Sequence, residues 1–339
     1  MGVRNAIGVA ALCGVMLLCR LASAGETPAA PAKGQAYALI VAGSGEEANF
    51  TENYRDWSVR THALLTGPCG IPAANVKVLL ENKELSPAIT SAVSTKENVV
   101  KAFGELNAKI TPADQFILVF IGHGTGQDGV GKLCLPGPDI SSVETADWLD
   151  KIKAHEIVVV ESSPYSATFL EKCSKPGRVI ITSTNNSGEG NETYFMEFFL
   201  KAYEKNKDQA GALDLLSAFN SAATECPKWY LRQYFDGRSW RTDGKQSRAL
   251  WDKFYGNVKD KSAVPSADPN ADDAEPELGE WGEQWASRRM PTEHAQLDDN
   301  GDKVGTAVFV NNQFTPVAGS DESADGFIAR KIILGKPHP

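Results

Sequence analysis

The chain has 339 residues, of which 42% are hydrophobic and 23% charged, and its formal net charge at pH 7 is -9. These values are typical of a soluble globular protein with a full hydrophobic core. The excess of acidic residues argues against nucleic acid as a partner.

The first 24 residues have the pattern of a secretory signal peptide. Arg4 gives the segment a positive start, residues 6–18 are apolar, and Ala22-Ser23-Ala24 is a small-residue cleavage site. This apolar run is shorter than the roughly 20 residues of a spanning helix, so we expect no membrane insertion after signal cleavage. We therefore predict a protein that is secreted or located in the periplasm or cell envelope, with residues 25–34 as a flexible leader.

Four cysteines follow this signal segment: Cys69, Cys134, Cys173 and Cys226. In an oxidising compartment they could form two disulfides with three possible pairings, and the sequence does not choose among the pairings. Free buried thiols are the alternative, because a chain of this size does not need disulfides in order to fold.

From residue 37 to residue 203, apolar runs of strand length alternate with helical patterns. The predicted strands are 37–43, 76–80, 116–121, 157–160 and 179–184, and the predicted helices are 56–65, 95–110, 143–153, 165–173 and 193–203. Continuous apolar runs separated by helices indicate strands covered on both faces, which predicts an α/β fold with a mostly parallel sheet. Ser94 and Glu97 have the spacing of a capping box at the start of the second helix.

The pattern changes after residue 211, the end of a predicted α/β domain that begins at residue 35. We predict a helical extension over 212–258, an acidic mobile segment over 259–290, and a C-terminal region over 291–339. That last region contains an Asp-rich loop and two strand-like runs, 306–310 and 326–334, so we expect a strand pair that packs on the main domain.

Two loops that follow predicted strands carry candidate functional residues. Ligands bind at the carboxyl ends of the strands in open α/β sheets. Gly122-His123-Gly124 follows the strand at 116–121, and Glu161-Ser162-Ser163 follows the strand at 157–160. A histidine between glycines could be an ordinary turn residue, but its position after a central apolar strand favours a functional role.

These segments resemble the legumain-like and caspase-like cysteine peptidases. Residues 37–44 and 53–55 are similar to the first strand and following helix of legumains. Gly122-His123-Gly124 resembles the loop of the catalytic histidine, and residues 158–163 resemble the strand and loop that carry the catalytic cysteine. The resemblance covers about residues 37–203 and implies a caspase-like three-layer α/β/α sandwich, with His123 and Ser163 at the positions of the catalytic dyad and the backbone of Gly124 on the oxyanion side.

Ser163 stands where the family has its cysteine. A thiol has a pKa of about 8.5 and is partly ionised at neutral pH, whereas a serine needs a well-placed base that a third group orients. The resemblance extends to a bacterial branch that commonly has serine there, through segments 135–139, 188–193 and 293–302. We therefore favour a non-catalytic pseudopeptidase that binds a peptide or protein segment. The alternatives are an active endopeptidase using His123 with Ser163 and a structural component of the cell envelope.

The resemblance also implies substrate-binding roles for Arg55, Glu161 and Glu189. Arg55 matches an arginine that shapes the specificity pocket of legumains, where it would hold an acidic or amide side chain. Glu189 lies on the loop after the fifth apolar run. A solvated arginine and a surface carboxylate are the alternatives for Arg55 and Glu189.

A calcium loop is only weakly indicated, and no metal or other cofactor is expected. Asp298, Asn300 and Asp302 have the alternation of the first three ligands, but Lys303 and Phe309 replace the glycine and the bidentate glutamate.

Overall fold

The structure is a computed structural model that describes residues 1–2, 34–186, 188–236, 293–310 and 313–338. For residues 207 and 231–236 it describes the backbone alone. Apart from residues 1, 2 and 34, the predicted signal peptide and leader lie outside the described residues. The same holds for the predicted acidic segment and for residues 237–258 of the predicted helical extension. The described residues from 34 onward belong to one compact unit.

The centre of this unit is an eight-stranded sheet, with two smaller sheets beside it. The strands are β1 Ala36–Ala42, β2 Val76–Leu80, β3 Thr90–Val93, β4 Gln115–Ile121, β5 Gly124–Gln127, β6 Val130–Leu133, β7 Ile140–Ser141, β8 Glu156–Ser162, β9 Arg178–Thr182, β10 Gln296–Asp298, β11 Thr306–Ala307, β12 Phe309–Val310 and β13 Gln313–Phe314. The large sheet has the order β11-β10-β9-β8-β4-β1-β2-β3. Six of its strands pair in parallel with their neighbours: β9, β8, β4, β1, β2 and β3. The strand β10 is antiparallel to both of its neighbours, β9 and β11.

Helices cover both faces of this sheet. They are α1 Ala48–Thr66, α2 Lys96–Asn107, α3 Ser142–Leu149, α4 Ala167–Cys173, α5 Phe195–Lys205 and α6 Leu215–Asp236. Apolar residues of α1, α5 and α6 pack with one face of the sheet, and those of α2, α3 and α4 pack with the other. No helix among the described residues is long and apolar enough to cross a membrane.

The central strands are mostly apolar because both of their faces are covered, and their few polar residues, such as Gln115 and Glu161, are buried with them. Every residue of β1, β4 and β8 is buried. Side chains alternate between the two faces, so Ile40 belongs to one core cluster while its neighbours Leu39 and Val41 belong to the other. The fold is therefore mixed α/β with a mostly parallel central sheet, and the five apolar runs form β1, β2, β4, β8 and β9.

The predicted capping box at Ser94 is wrong. The N-cap of α2 is Thr95, whose hydroxyl accepts from the Asn98 amide, and the Ser94 hydroxyl is buried with no hydrogen-bond partner among the described residues. Ser94 lies one residue too early because α2 begins at Lys96. A complete capping box occurs instead at the start of α3.

The C-terminal strands differ from the prediction. Residues 306–310 contain β11 and β12, which pair with β10 and β13, whereas 326–334 contain a short 3-10 helix, Ala329–Lys331. The Asp299 carboxylate accepts hydrogen bonds from the amides of Gly326, Ile328 and Ala329. Because these amides converge on one carboxylate, they are not available for a strand ladder.

Candidate functional site

The loops that carry His123 and Ser163 leave the same edge of the large sheet. β4 and β8 are parallel neighbours with Ile121 opposite Ser162, so the residues after them emerge side by side. The Gly122 amide donates to the Ser162 carbonyl at 3.4 Å. A Cβ atom added to Gly124 would lie 2.8 Å from the Ser163 hydroxyl and 2.1 Å from the Pro164 carbonyl oxygen. The two loops are therefore in contact at Gly124.

Both ring nitrogens of His123 have acceptor partners other than Ser163. Nδ1 lies 2.7 Å from Oε1 of Glu192, and Nε2 lies 3.0 Å from the Gly45 carbonyl oxygen. The rings of Phe50 and Tyr54 meet the imidazole edge to face. Because a carboxylate and a carbonyl both accept, the doubly protonated imidazolium suits both contacts, of which the one to Glu192 is a short ion pair rather than a well-aligned hydrogen bond.

The electrostatics of His123 agree with this pairing. The interaction with the Glu192 carboxylate raises the pKa of His123 above its ordinary value, and partial burial opposes the shift. The Tyr54 hydroxyl donates to the same carboxylate, and burial together with that negative charge raises the pKa of Tyr54. Glu192 therefore holds His123 in its charged form over a wider pH range.

Glu192→Gln should lower the pKa of His123, because the neutral amide no longer favours the imidazolium. The pKa is measured from the NMR shifts of the imidazole protons during a pH titration. Glu144→Gln is the control, since Glu144 pairs with Lys96 at the start of α3. An equal pKa for His123 in the wild type and in Glu192→Gln would contradict the assigned pairing.

Ser163 is fully buried, and its hydroxyl forms hydrogen bonds with residues next to it in the chain. Its hydroxyl lies 2.6 Å from Oε1 of Glu161 and 3.1 Å from the Pro164 carbonyl oxygen. The Ser183 hydroxyl donates to the Ser163 carbonyl at 3.0 Å and lies 3.1 Å from the Ser166 hydroxyl. The two dyad candidates thus share an edge of the sheet without a hydrogen bond between them.

Glu161 lies in the interior rather than on an open cleft. It is fully buried, and its Oε2 atom has no hydrogen-bond partner among the described residues. Burial raises the pKa of Glu161 to about 8, although the hydrogen bond from Ser163 opposes the shift. The carboxyl is therefore mostly neutral near pH 7, and a ligand cannot reach it without rearrangement.

The Tyr165 ring fills the space between β5 and the loop after β9. A Cβ atom added to Gly126 would lie 2.7 Å from Cδ1 of this ring, and one added to Gly190 would lie 2.4 Å from its hydroxyl. The Tyr165 amide donates to the Glu189 carbonyl, and its φ of 61° lies in the left-handed region. A bulky residue there is strained, so the surrounding contacts hold it in place. The glycines at 126 and 190 were the only sequence signal for this feature.

The structure places Arg55 in an open hollow of about 490 Å³ with three glutamates, Glu46, Glu47 and Glu52. Its Nε donates to the Leu85 carbonyl at 2.9 Å. A carboxylate in the hollow would meet three negative charges and one guanidinium, so the role predicted for Arg55, holding an acidic side chain, has an unfavourable electrostatic setting.

Glu189 is buried and already paired. Its Oε1 lies 2.5 Å from Nδ1 of His294, and its Oε2 accepts from the amides of Asn185 and His294. The predicted specificity residue therefore joins the loop after β9 to the segment that leads into β10. It contributes no free carboxylate to the cleft.

Cys134 is a neighbour of His123 that the sequence reasoning missed. The hairpin of β5 and β6 turns at Asp128-Gly129, whose φ values of 52° and 73° fit a type I′ turn. That register brings Cys134 opposite His123, and the Cys134 amide donates to the His123 carbonyl at 3.0 Å. Burial and the nearby Asp139 raise the pKa of the half-buried Cys134 thiol. In the sequence, the Asp128-Gly129 dipeptide is the feature that could have predicted this hairpin.

All four cysteines among the described residues are free. They remain thiols, which was the alternative to the predicted disulfide pairings.

The residues of the weakly indicated calcium loop accept hydrogen bonds from backbone amides of the same loop. Asp298 accepts from the amides of Gly301 and Lys303, and Asp302 accepts from the amide of Val304. In the part of the chain that the structure describes, no group of three or more His, Cys, Asp or Glu side chains could hold a metal ion.

Comparison with known proteins adds no family to these observations. The chain matches no protein-family model and no curated protein. Any functional conclusion therefore depends on the geometry of its own residues.

Proposed function

We propose that the protein is an exported, non-catalytic relative of the legumain-like and caspase-like peptidases that binds an extended peptide or protein segment. The observation that carries this proposal is the separate pairing of the dyad candidates: Ser163 with Glu161, and His123 with Glu192 and Gly45. The proposal includes a caspase-like topology, supported by the parallel sheet, the helices on both faces, and the adjacent loops after β4 and β8.

A serine nucleophile needs a base that can accept its proton. Such a base lies about 2.6 to 3.2 Å from the hydroxyl and carries a free lone pair. Each ring nitrogen of His123 lies against an acceptor, and Glu192 raises the pKa of the imidazole, so His123 is not placed to accept the proton of Ser163. Glu161 touches Ser163, but burial favours its neutral form. Hydrolysis at this site would require both groups to change partners.

The packing around Ser163 favours binding over hydrolysis. Gly124 and the Pro164 carbonyl lie against the Ser163 hydroxyl, and the Tyr165 ring fills the space between Gly126 and Gly190. Ser163 itself is fully buried. Loops at the carboxyl edge of a parallel sheet remain a common binding region even where chemistry is absent. Export is supported by the N-terminal sequence pattern alone.

A random decapeptide library tests this proposal in two assays, hydrolysis and retention by the purified protein. We expect the wild type to cleave none of the peptides and to retain a subset. Ser163→Ala should retain the same subset because the Ser163 side chain is buried. Ser217→Ala, a change at an exposed serine on α6, is the matched control.

Cleavage by the wild type that disappears in both Ser163→Ala and His123→Ala would establish a serine peptidase and overturn the proposal. Cleavage that appears only in Ser163→Cys would leave the wild type non-catalytic but would contradict the pairing argument, since His123 would then serve as the base for a thiol. Failure of the wild type to retain any peptide would remove the binding function.

A further inference from the structure

Hydrogen bonds fix the backbone of Tyr165 but not its ring. The Tyr165 amide donates to the Glu189 carbonyl at 3.0 Å, and the Tyr165 carbonyl accepts from the amide and the hydroxyl of Thr168. The Tyr165 hydroxyl has no hydrogen-bond partner among the described residues, whereas a tyrosine that belongs permanently to a core usually has one. Packing alone therefore holds the ring, and a rotation about the Cα–Cβ bond releases it without a change in the backbone.

The ring fills a surface slot between two glycines, Gly126 on β5 and Gly190 on the loop after β9. A Cβ atom added to Gly126 would lie 2.7 Å from Cδ1 of the ring, and one added to Gly190 would lie 2.7 Å from Cζ. Both glycines are exposed, and Tyr165 is partly exposed although its neighbours Pro164 and Ser166 are buried. The space that the ring occupies, here called the Tyr165 slot, is thus walled by backbone, and neither glycine has a side chain that would block the ring from leaving.

The backbone conformation of Tyr165 is costly for its residue type. Its φ of 61° lies in the left-handed region, where the other non-glycine residues among those described are polar: Glu46, Asp128 and Lys303. Glycine would adopt this conformation without strain. Strained residues of this kind concentrate at ligand clamps and switch regions, because elsewhere a less costly residue serves as well. The strain therefore indicates a role for the ring in the slot that a simple turn would not require.

We infer that the Tyr165 slot is a subsite for an aromatic side chain of the bound peptide, and that the Tyr165 ring occupies it until a tyrosine or phenylalanine of the peptide takes its place. The occupant follows from the shape of the slot, which already accommodates a tyrosine ring between two stretches of bare backbone. The walls also adjoin the predicted binding region: β5 begins directly after His123, and Gly190 is close in the chain to Glu192, the partner of His123. The inference rests on the proposed function, because it names the side chain that the peptide inserts and the group that closes the site.

The slot itself is tested without a peptide, by NMR titration with p-cresol, the free form of the tyrosine side chain. We expect Tyr165→Gly to bind p-cresol about tenfold or more tightly than the wild type, because in the wild type the ring must leave first. Tyr165→Phe should behave as the wild type, since it keeps the ring and loses only a hydroxyl that has no partner. Lys303→Gly is the matched control, because it relieves the same backbone conformation at an exposed residue outside the slot. Failure of folded Tyr165→Gly to bind p-cresol would overturn the subsite.

The exchange of rings is tested with the random decapeptide library. We expect the peptides that the wild type retains to be enriched in tyrosine and phenylalanine, and Tyr165→Gly to bind the same peptides about tenfold or more tightly. In the wild type, the nuclear Overhauser contact between the Tyr165 ring and Gly126 should disappear when the most strongly retained peptide binds, a measurement that does not depend on the folding of any variant. Retention without aromatic preference, or a contact that persists in the complex, would overturn the subsite while the proposed function stands. If neither the wild type nor Tyr165→Gly retains a peptide, both are overturned.

Discussion

Replacement of Gly126 by alanine should lower the free energy of unfolding by about 2 kcal/mol, and most of this loss should disappear when Tyr165 is also alanine. The new Cβ atom would lie 2.7 Å from Cδ1, 2.8 Å from Cγ and 3.2 Å from Cβ of Tyr165. These atoms are close to the backbone, so the ring cannot avoid the clash by a change at its tip. Gly190 confines the hydroxyl at the other end.

Urea denaturation of the wild type, the two single variants and the double variant measures this coupling. Gly104→Ala is the matched control, because nothing lies within 4 Å of a Cβ atom added there in α2. That change should stabilise the protein by about 0.5 to 1 kcal/mol, as expected for glycine in a helix interior. Additive effects of Gly126→Ala and Tyr165→Ala would show that the ring does not fill the space beside β5.

The stability of the protein should fall as the pH rises toward 8, and Glu161→Gln should remove part of this fall. Burial raises the pKa of Glu161 from 4.5 to about 8 in the folded chain. Between these two values the folded state keeps the proton that the unfolded state has lost. The stabilisation is therefore fully present below about pH 4.5 and is lost as the pH rises toward 8, by at most about 1.4 kcal/mol per pH unit.

The measurement is the free energy of unfolding of the wild type and of Glu161→Gln between pH 4 and pH 9. The difference between the two curves should change across the window that ends near pH 8. For Glu293→Gln the difference from the wild type should stop changing at a lower pH, near 7, because burial raises the pKa of Glu293 to about 7. Parallel curves for the wild type and Glu161→Gln would mean that Glu161 is ionised in the folded protein.

The loop after β8 contributes buried hydrogen bonds to the interior of the protein. Ser163, Ser166, Ser183 and Thr184 form a buried set of hydroxyl groups that bond one another or backbone groups. Ser163 thus satisfies polar atoms in the interior, with Glu161 as its partner. Buried polar groups require such partners because an unpaired one loses its hydrogen bonds to water without replacement.

The pattern of apolar residues within each segment was sufficient to predict the main strands of the fold. Residues 116–121 and 157–160 are apolar without interruption because both faces of β4 and β8 are covered, and this pattern is visible without a structure. The presence of His123 and Ser163 at one edge follows from two parallel strands being neighbours. Shorter strands such as β3 and β10 were missed, since Thr90–Val93 is only partly buried and Gln296–Asp298 is three residues long.

By itself, the sequence determined a mostly parallel α/β sheet and the two loops on which His123 and Ser163 lie, because those features depend on residues close together in the chain. Only the tertiary structure decided which groups these residues contact. Glu192 reaches His123 from the segment before α5, and the Tyr165 ring lies between Gly126 and Gly190. Such contacts join residues far apart in sequence, and a periodic pattern carries no information about them. The physical difference is between burial, which repeats along an element, and hydrogen bonding, which depends on how the elements meet.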